Sequence, residues 1–221
     1  MSTDSVSSST ALYSQRSNTI DNFYFGHANI RSLFSVSNTG SRLDELKYFM
    51  NENKIVVMAL SETHLSSTIC DDEVFIDGYN IFRNDRKNNG RHGGGVAFFV
   101  REDVAVTYLD DLNIDGHESL WIKVVVDNKN VVFGVCYRPP NQNLEDIDFF
   151  VNGLYATLDT LNESYKCPLI LQGDFNDRCE SWESDHEYSE LGLKLYNLLN
   201  SFNLCQLVNE PTRGSNVLDL V

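Results

Sequence analysis

Pro168-Leu169-Ile170-Leu171-Gln172-Gly173-Asp174-Phe175-Asn176 is the stretch whose reading decides the fold. A short apolar run stops at a glycine, and a carboxylate and an amide follow. A buried strand delivers polar groups to the rim of a sheet in this way. The same pattern recurs twice upstream. Ile55-Val56-Val57-Met58-Ala59-Leu60 runs into Ser61-Glu62-Thr63-His64, and Val131-Val132-Phe133-Gly134-Val135-Cys136 runs into Tyr137-Arg138-Pro139-Pro140. Three apolar strands ending in Asp/Asn, Glu and Tyr predict one polar site at strand ends. A carboxylate left unpaired in a protein interior is strongly unfavourable, or shifts its pKa until it is neutral. Several such groups converging imply a metal ion or a catalytic task.

Working outward, residues 1–20 are rich in Ser and Thr and read as a disordered leader, with the folded domain over 21–221. Phe23-Tyr24-Phe25 opens a strand that ends near Asn29. Ser41 is placed to cap a helix carrying Leu43, Leu46, Phe49 and Met50 on one face. Gly78 to Phe82 and Val96 to Val100 read as strands. Trp121, Val124 and Val126 precede an Asp127-Asn128-Lys129-Asn130 turn, so this run and Val131–Tyr137 form a hairpin. Leu144, Ile147, Val151, Leu154, Leu158 and Leu161 have helical spacing, as do Leu191, Leu195, Leu198, Leu199 and Phe202. The order of elements predicts one α/β domain with a mixed sheet arrangement between helices. The last apolar segment, Val217 to Val221, reads as a strand that has barely begun, so a C-terminally truncated domain is expected.

The chain has 221 residues and a net charge of -15, from 32 acids against 17 bases. That balance argues against holding nucleic acid by bulk electrostatics. No apolar run approaches the ~20 residues of a membrane helix, and no secretory pattern opens the chain, so no membrane partner is expected. Cys70, Cys136, Cys167, Cys179 and Cys205 are scattered, with no C-x-x-C pair. They read as reduced thiols of an intracellular protein.

Five motifs occur in order: Ala28-Asn29-Ile30-Arg31-Ser32-Leu33, Ser61-Glu62-Thr63-His64-Leu65, Gly93-Gly94-Gly95-Val96, Tyr137-Arg138-Pro139-Pro140 and Gly173-Asp174-Phe175-Asn176. Together they resemble the endonuclease domain of LINE-type (non-LTR) retrotransposons, close to the jockey-like group, within the endonuclease/exonuclease/phosphatase superfamily. The resemblance runs from about Asn22 to Val221. It implies a four-layer α/β sandwich, with two mixed sheets face to face and helices outside. It also implies Mg²⁺-dependent phosphodiester hydrolysis, with Mn²⁺ as a substitute, that nicks DNA to prime reverse transcription. A reverse transcriptase portion of the same parent polypeptide is the implied partner, and the nucleus the implied location.

By the same resemblance Glu62 is the main metal ligand, and Asn29 is a further metal residue that also lies near the scissile phosphate. Tyr137 contacts the phosphate. Asp174 positions or deprotonates the attacking water, Asn176 holds phosphate oxygens, and Asp219 supports the site. Arg31, Arg83, Arg86, Lys87, Arg91 and Arg138 are the candidate substrate contacts; those between 83 and 91 form the one basic cluster, followed by a glycine turn that permits close backbone approach. The chemistry is consistent: a hard dication offsets the charge that builds on phosphate oxygens, and preorganised donors stabilise the rest.

One departure stands out. The family's Ser-Asp-His motif lies downstream of the Leu-Asp-Leu segment and is absent here. Ser184-Asp185-His186 precedes Asp219 and reads as surface. His27, His64 and His117 also read as structural or exposed. Locally, Asp174 and Asn176 fit a plain Asx turn as well as a catalytic loop; Gly173 and the ordered motifs select catalysis. Two alternatives stay open: a noncatalytic relic of the domain, and another superfamily phosphoesterase such as a repair endonuclease or a nucleotide or lipid phosphodiesterase.

Overall fold

The computed structural model describes residues 11–15, 23–37, 40–87, 93–140, 142–177, 189–208 and 219–220. In chain order the strands are β1 (Ala11–Gln15), β2 (Phe23–Asn29), β3 (Val36–Ser37), β4 (Gly40–Ser41), β5 (Ile55–Ser61), β6 (Tyr79–Asn84), β7 (Val96–Arg101), β8 (Val106–Tyr108), β9 (Glu118–Val126), β10 (Lys129–Tyr137), β11 (Leu169–Asp174) and β12 (Asp219–Leu220). Among the described residues three helices intervene: α1 (Arg42–Glu52), α2 (Leu144–Ser164) and α3 (Glu190–Ser201).

Two five-stranded sheets carry the fold, ordered β1-β2-β5-β7-β6 and β12-β11-β10-β9-β8. Each holds one parallel pair, β2 with β5 and β10 with β11; the other pairs are antiparallel. Each parallel pair is joined by a crossover through a helix, α1 in the first sheet and α2 in the second. Parallel strands end at the same rim. This is why Asn29, Glu62, Tyr137 and Asp174, all at carboxyl ends of such strands, reach one place.

Alternation along the strands builds the layers. Phe25, Val57, Ala59, Phe98, Ile122, Phe133 and Val135 pack between the sheets. Met58, Leu60 and Phe99 point the other way, onto Leu43, Leu46 and Met50 of α1. Trp121, Val132 and Leu171 meet Leu154, Leu158 and Leu195 of α2 and α3. The result is the expected four-layer sandwich with helices outside.

The local readings hold in physical detail. Ser41 caps α1, its hydroxyl accepting from Asp44 N at 3.1 Å. The β9–β10 hairpin turns on Asp127 and Asn128 at φ 48° and 60°, the left-handed pair of a type I′ turn. Within residues 1–20, β1 pairs antiparallel with β2 from Ala11↔His27 to Gln15↔Phe23. Its backbone covers the otherwise open edge of β2.

Candidate active site

Asn29 is the hinge of the candidate site. Its side-chain Nδ2 donates to Glu62 Oε1 at 2.7 Å and to Asp174 Oδ2 at 2.7 Å. Glu62 follows β5 of the first sheet and Asp174 ends β11 of the second. One carboxamide therefore ties together two carboxylates that lie 112 positions apart in the chain, because the sandwich brings the two rims together. Asn29 Oδ1 accepts from Arg31 N at 3.2 Å, which fixes the orientation in which nitrogen faces the carboxylates.

Glu62 leaves its strand at φ 54° and sits in a backbone clamp. Ile30 N and Ser32 N donate to Ser61 O and Glu62 O at 2.9 and 2.7 Å, while Thr63 N and His64 N donate to Gly95 O and Gly94 O at 3.2 and 2.8 Å. His64 Nε2 lies 3.5 Å from Glu62 Oε2, so this histidine, read from sequence as structural or exposed, borders the site.

Tyr137 is 6% exposed, and its backbone pairs with Asp174 on one side and Glu118 on the other. Burial pushes its phenol well above the usual range, and the nearby Glu62 and Asp174 charges add to that. The phenol is therefore a neutral donor, hydrogen-bonded to Glu62. Asp174 is 2% exposed; its Oδ1 accepts from Asn176 N at 3.0 Å, an Asx turn that also orients the carboxylate. A side chain at position 173 would meet the Cys136 carbonyl at 2.0 Å, so only glycine lets β11 lie against β10 there. Asp219 pairs with Asp174 across the β11–β12 edge.

The basic residues divide into two groups. Arg138 is 5% exposed and turned inward: Nε donates to Phe175 O at 2.6 Å, Nη2 to Asn176 O at 2.7 Å, and Nη1 to Pro139 O at 2.9 Å and Gln142 Oε1 at 3.2 Å. Arg83 donates to the Ser66 and Ile69 carbonyls at 3.2 and 2.7 Å and pairs with Asp71 and Asp85. Arg86 pairs with Glu118 and lies over the Tyr137 ring, 5.8 Å from its centroid. These three engage the protein's own groups. Lys87, 82% exposed and paired with Asp115, and the exposed Arg31 remain at the surface. Arg91 and the Ser184-Asp185-His186 segment lie outside the described residues.

The glycine run also serves the protein itself. Gly93, Gly94 and Gly95 have φ of 89°, 79° and 85°. A Cβ on Gly94 would stand 2.3 Å from Glu118 Oε2 and 2.4 Å from Arg86 Cζ. Gly95 N donates to Glu118 Oε2 at 2.5 Å. Close backbone approach is thus toward the Arg86–Glu118 pair. Glu118 escaped the sequence reading; its only signal is an acid opening the strand antiparallel to the one that ends at Tyr137.

Among the described residues no group of three or more His, Cys, Asp or Glu side chains forms a metal cage. The Glu62–Asp174 pair nevertheless fits a hard dication such as Mg²⁺, which keeps several waters and takes one or two carboxylates. The donors are oxygens, partly buried, and held at one point.

Residues 131–221 match the model of the family described as endonuclease-reverse transcriptase. The endonuclease domain of TRAS1, a telomere-specific non-LTR retrotransposon, superposes with a TM-score of 0.62 at 16% identity, over 90% of this chain and 83% of that one. The chain has the fold of that endonuclease domain. The same fold in the AP endonuclease LMAP from Leishmania major gives a TM-score of 0.62 at 17% identity, covering 82% of this chain and 67% of that one. An AP endonuclease from Archaeoglobus fulgidus gives 0.52 at 18% identity, over 80% and 68%. No curated protein sequence matches the chain. The resemblance read from the sequence thus agrees with the family match over 131–221 and with the fold.

Proposed function

We propose that this chain is a divalent-metal-dependent DNA endonuclease domain of non-LTR retrotransposon type, which nicks one strand and leaves a 3′-hydroxyl to prime reverse transcription. One observation supports this above all: the Asn29 carboxamide joins Glu62 and Asp174 at the rim where four strand ends converge. The retrotransposon branch is favoured by the family match over 131–221 and by the likeness to the TRAS1 domain. The reverse transcriptase partner and the nuclear site of action follow from that branch.

Glu62, with Asp174 beside it, is the proposed holder of Mg²⁺ or Mn²⁺. When bound, the ion supplies charge neutralisation at the phosphate and a lowered pKa for water. Asp174 orients the attacking water and takes its proton. Asn29 holds the two carboxylates in register. Tyr137, kept neutral by burial, donates to a phosphate oxygen. Asn176 contributes an N–H beyond the one given to the Arg138 carbonyl at 2.8 Å. Preorganised donors of this kind are typically worth about 3 kcal/mol each in transition-state stabilisation. Arg31 and Lys87 are the proposed phosphate contacts, and the acidic surface makes binding by this chain weak and salt-sensitive.

The test is nicking of supercoiled plasmid with and without Mg²⁺. Cation-dependent nicking that disappears in Glu62→Ala and Asp174→Ala supports the reading. Absence of nicking by the intact chain supports the noncatalytic reading. Cleavage confined to duplexes carrying an abasic site supports a repair endonuclease, the alternative that the AP endonuclease likenesses favour.

A further inference from the structure

Beneath the rim, the core between the sheets contains polar groups that the proposed chemistry does not use. His27, Ser61 and Gln172 are 1%, 0% and 0% exposed. On β11, Ile170 packs with the inter-sheet core and Leu171 with the helices, so alternation turns Gln172 between the sheets. It lies two residues before Asp174. On β2, Phe25 packs between the sheets, which places His27 on the same face, two residues before Asn29. The two residues therefore sit one layer below the Asn29–Asp174 hydrogen bond. His27 Nε2 is 3.1 Å from Ser61 Oγ.

Gln172 is the anomaly in this layer. Its Nε2 and Oε1 are both fully buried, and neither has a hydrogen-bond partner among the described residues. A carboxamide has two donors and two acceptor lone pairs, and burying it with both ends unbonded is strongly unfavourable. Buried polar groups without protein partners are bridged by internal water, provided other polar groups are at hand to complete that water's bonds. The layer supplies them. An apolar side chain of the same length, beside Val135 of the neighbouring strand, does not carry this cost.

We propose that Gln172 is a positioning residue: together with His27 and Ser61 it holds internal water as a polar floor that fixes the Asp174 carboxylate against Asn29. The inference rests on the reading of Asp174 as the acting carboxylate. It assigns a task to a glutamine, and to a histidine–serine pair, that the hydrolytic mechanism leaves idle.

The experiment compares the intact wild-type chain with Gln172→Met and with Gln172→Met/Ser61→Ala. In ¹⁵N-labelled wild type, the Gln172 side-chain amide protons are expected to show magnetisation transfer to bound water. Gln172→Met is expected to lower kcat about 10- to 100-fold while KM stays within about twofold, as for a displaced catalytic group. Its Tm is expected to equal or exceed that of wild type, so that the loss of kcat is not a loss of folded protein. The double variant is expected to be no worse in kcat than the single one, since both act through one layer. Absence of the water contact, an unchanged kcat, or a lowered Tm with kcat retained overturns the inference. A wild-type chain that does not nick DNA defeats the nuclease reading instead, and the amide–water contact then decides the floor by itself.

Discussion

Arg138 and Asn176 hold each other's backbone. The Arg138 guanidinium donates from Nη2 to the Asn176 carbonyl at 2.7 Å, and the Asn176 carboxamide donates back to the Arg138 carbonyl at 2.8 Å. With Nε on the Phe175 carbonyl at 2.6 Å, the fork determines the path of the loop that follows Asp174. Arg138→Met keeps the stem but orphans the Phe175, Asn176 and Pro139 carbonyls. It is expected to destabilise the chain by about 3 kcal/mol, read as a lower denaturant midpoint. Arg138→Lys is expected to recover only part of this, because one ammonium cannot reproduce a planar fork.

Asn29 separates two like charges by giving each a hydrogen bond. Asn29→Ala is expected to lower kcat about 100- to 1,000-fold, the usual cost of removing one active-site donor. Asn29→Asp adds a third carboxylate where the donor was. Its Tm in chelator is expected to fall below that of wild type, and Mg²⁺ is expected to restore more of it than it adds to wild type. Equal responses to Mg²⁺ in the two proteins would count against carboxylate convergence.

Gly94 lies at φ 79°, with Glu118 Oε2 2.3 Å from where a Cβ would stand. Gly94→Ala combines left-handed backbone strain with displacement of the Arg86–Glu118 pair. The expected loss is about 2 kcal/mol or more. Because Arg86 also covers the Tyr137 ring, near-ultraviolet circular dichroism is expected to change with it.

His117 supplies a pH dependence. Burial lowers its pKa below the ordinary 6.5, opposed by its contact with the Phe149 carbonyl at 3.2 Å. It packs edge-on to Phe149 and stacks on Phe150, and Gly153 leaves room for the ring. Asp115, Glu118 and Asp146 line the same cleft. The unfolded imidazole takes a proton near 6.5 and the folded one only at lower pH. Between those values the unfolded state binds more protons, so stability present above 6.5 is lost as pH falls. Thermal melts from pH 7.5 to 5 are expected to show this fall, and His117→Gln is expected to lessen it, leaving the part due to His27, whose pKa burial lowers to about 4.

Much of this architecture was legible because strands announce themselves when both faces are buried. Ile55–Leu60, Val131–Cys136 and Leu169–Leu171 are continuous apolar runs, and the polar residue ending each marks the rim. The capping serine of α1 and the Asp127-Asn128 turn carry local chemistry that no tertiary contact needs to reveal. β1 and β8 escaped notice, being short edge strands with little apolar pattern. The destinations of the arginines were not legible at all. Whether Arg83, Arg86 and Arg138 face solvent or reach backbone carbonyls depends on loops from other elements, and residue type alone favours solvent. Glu118 was missed for the same reason, since an acid at a strand start is ordinary until its partner is known.

The claim on which the account depends is that Glu62 and Asp174 serve a single divalent cation, and Mn²⁺ binding followed by electron paramagnetic resonance tests it most directly. The account predicts one bound Mn²⁺ per chain in wild type, binding lost in Glu62→Gln and markedly weakened in Asp174→Asn, and competition by Mg²⁺. Mn²⁺ binding of unchanged stoichiometry and affinity in both variants would contradict it.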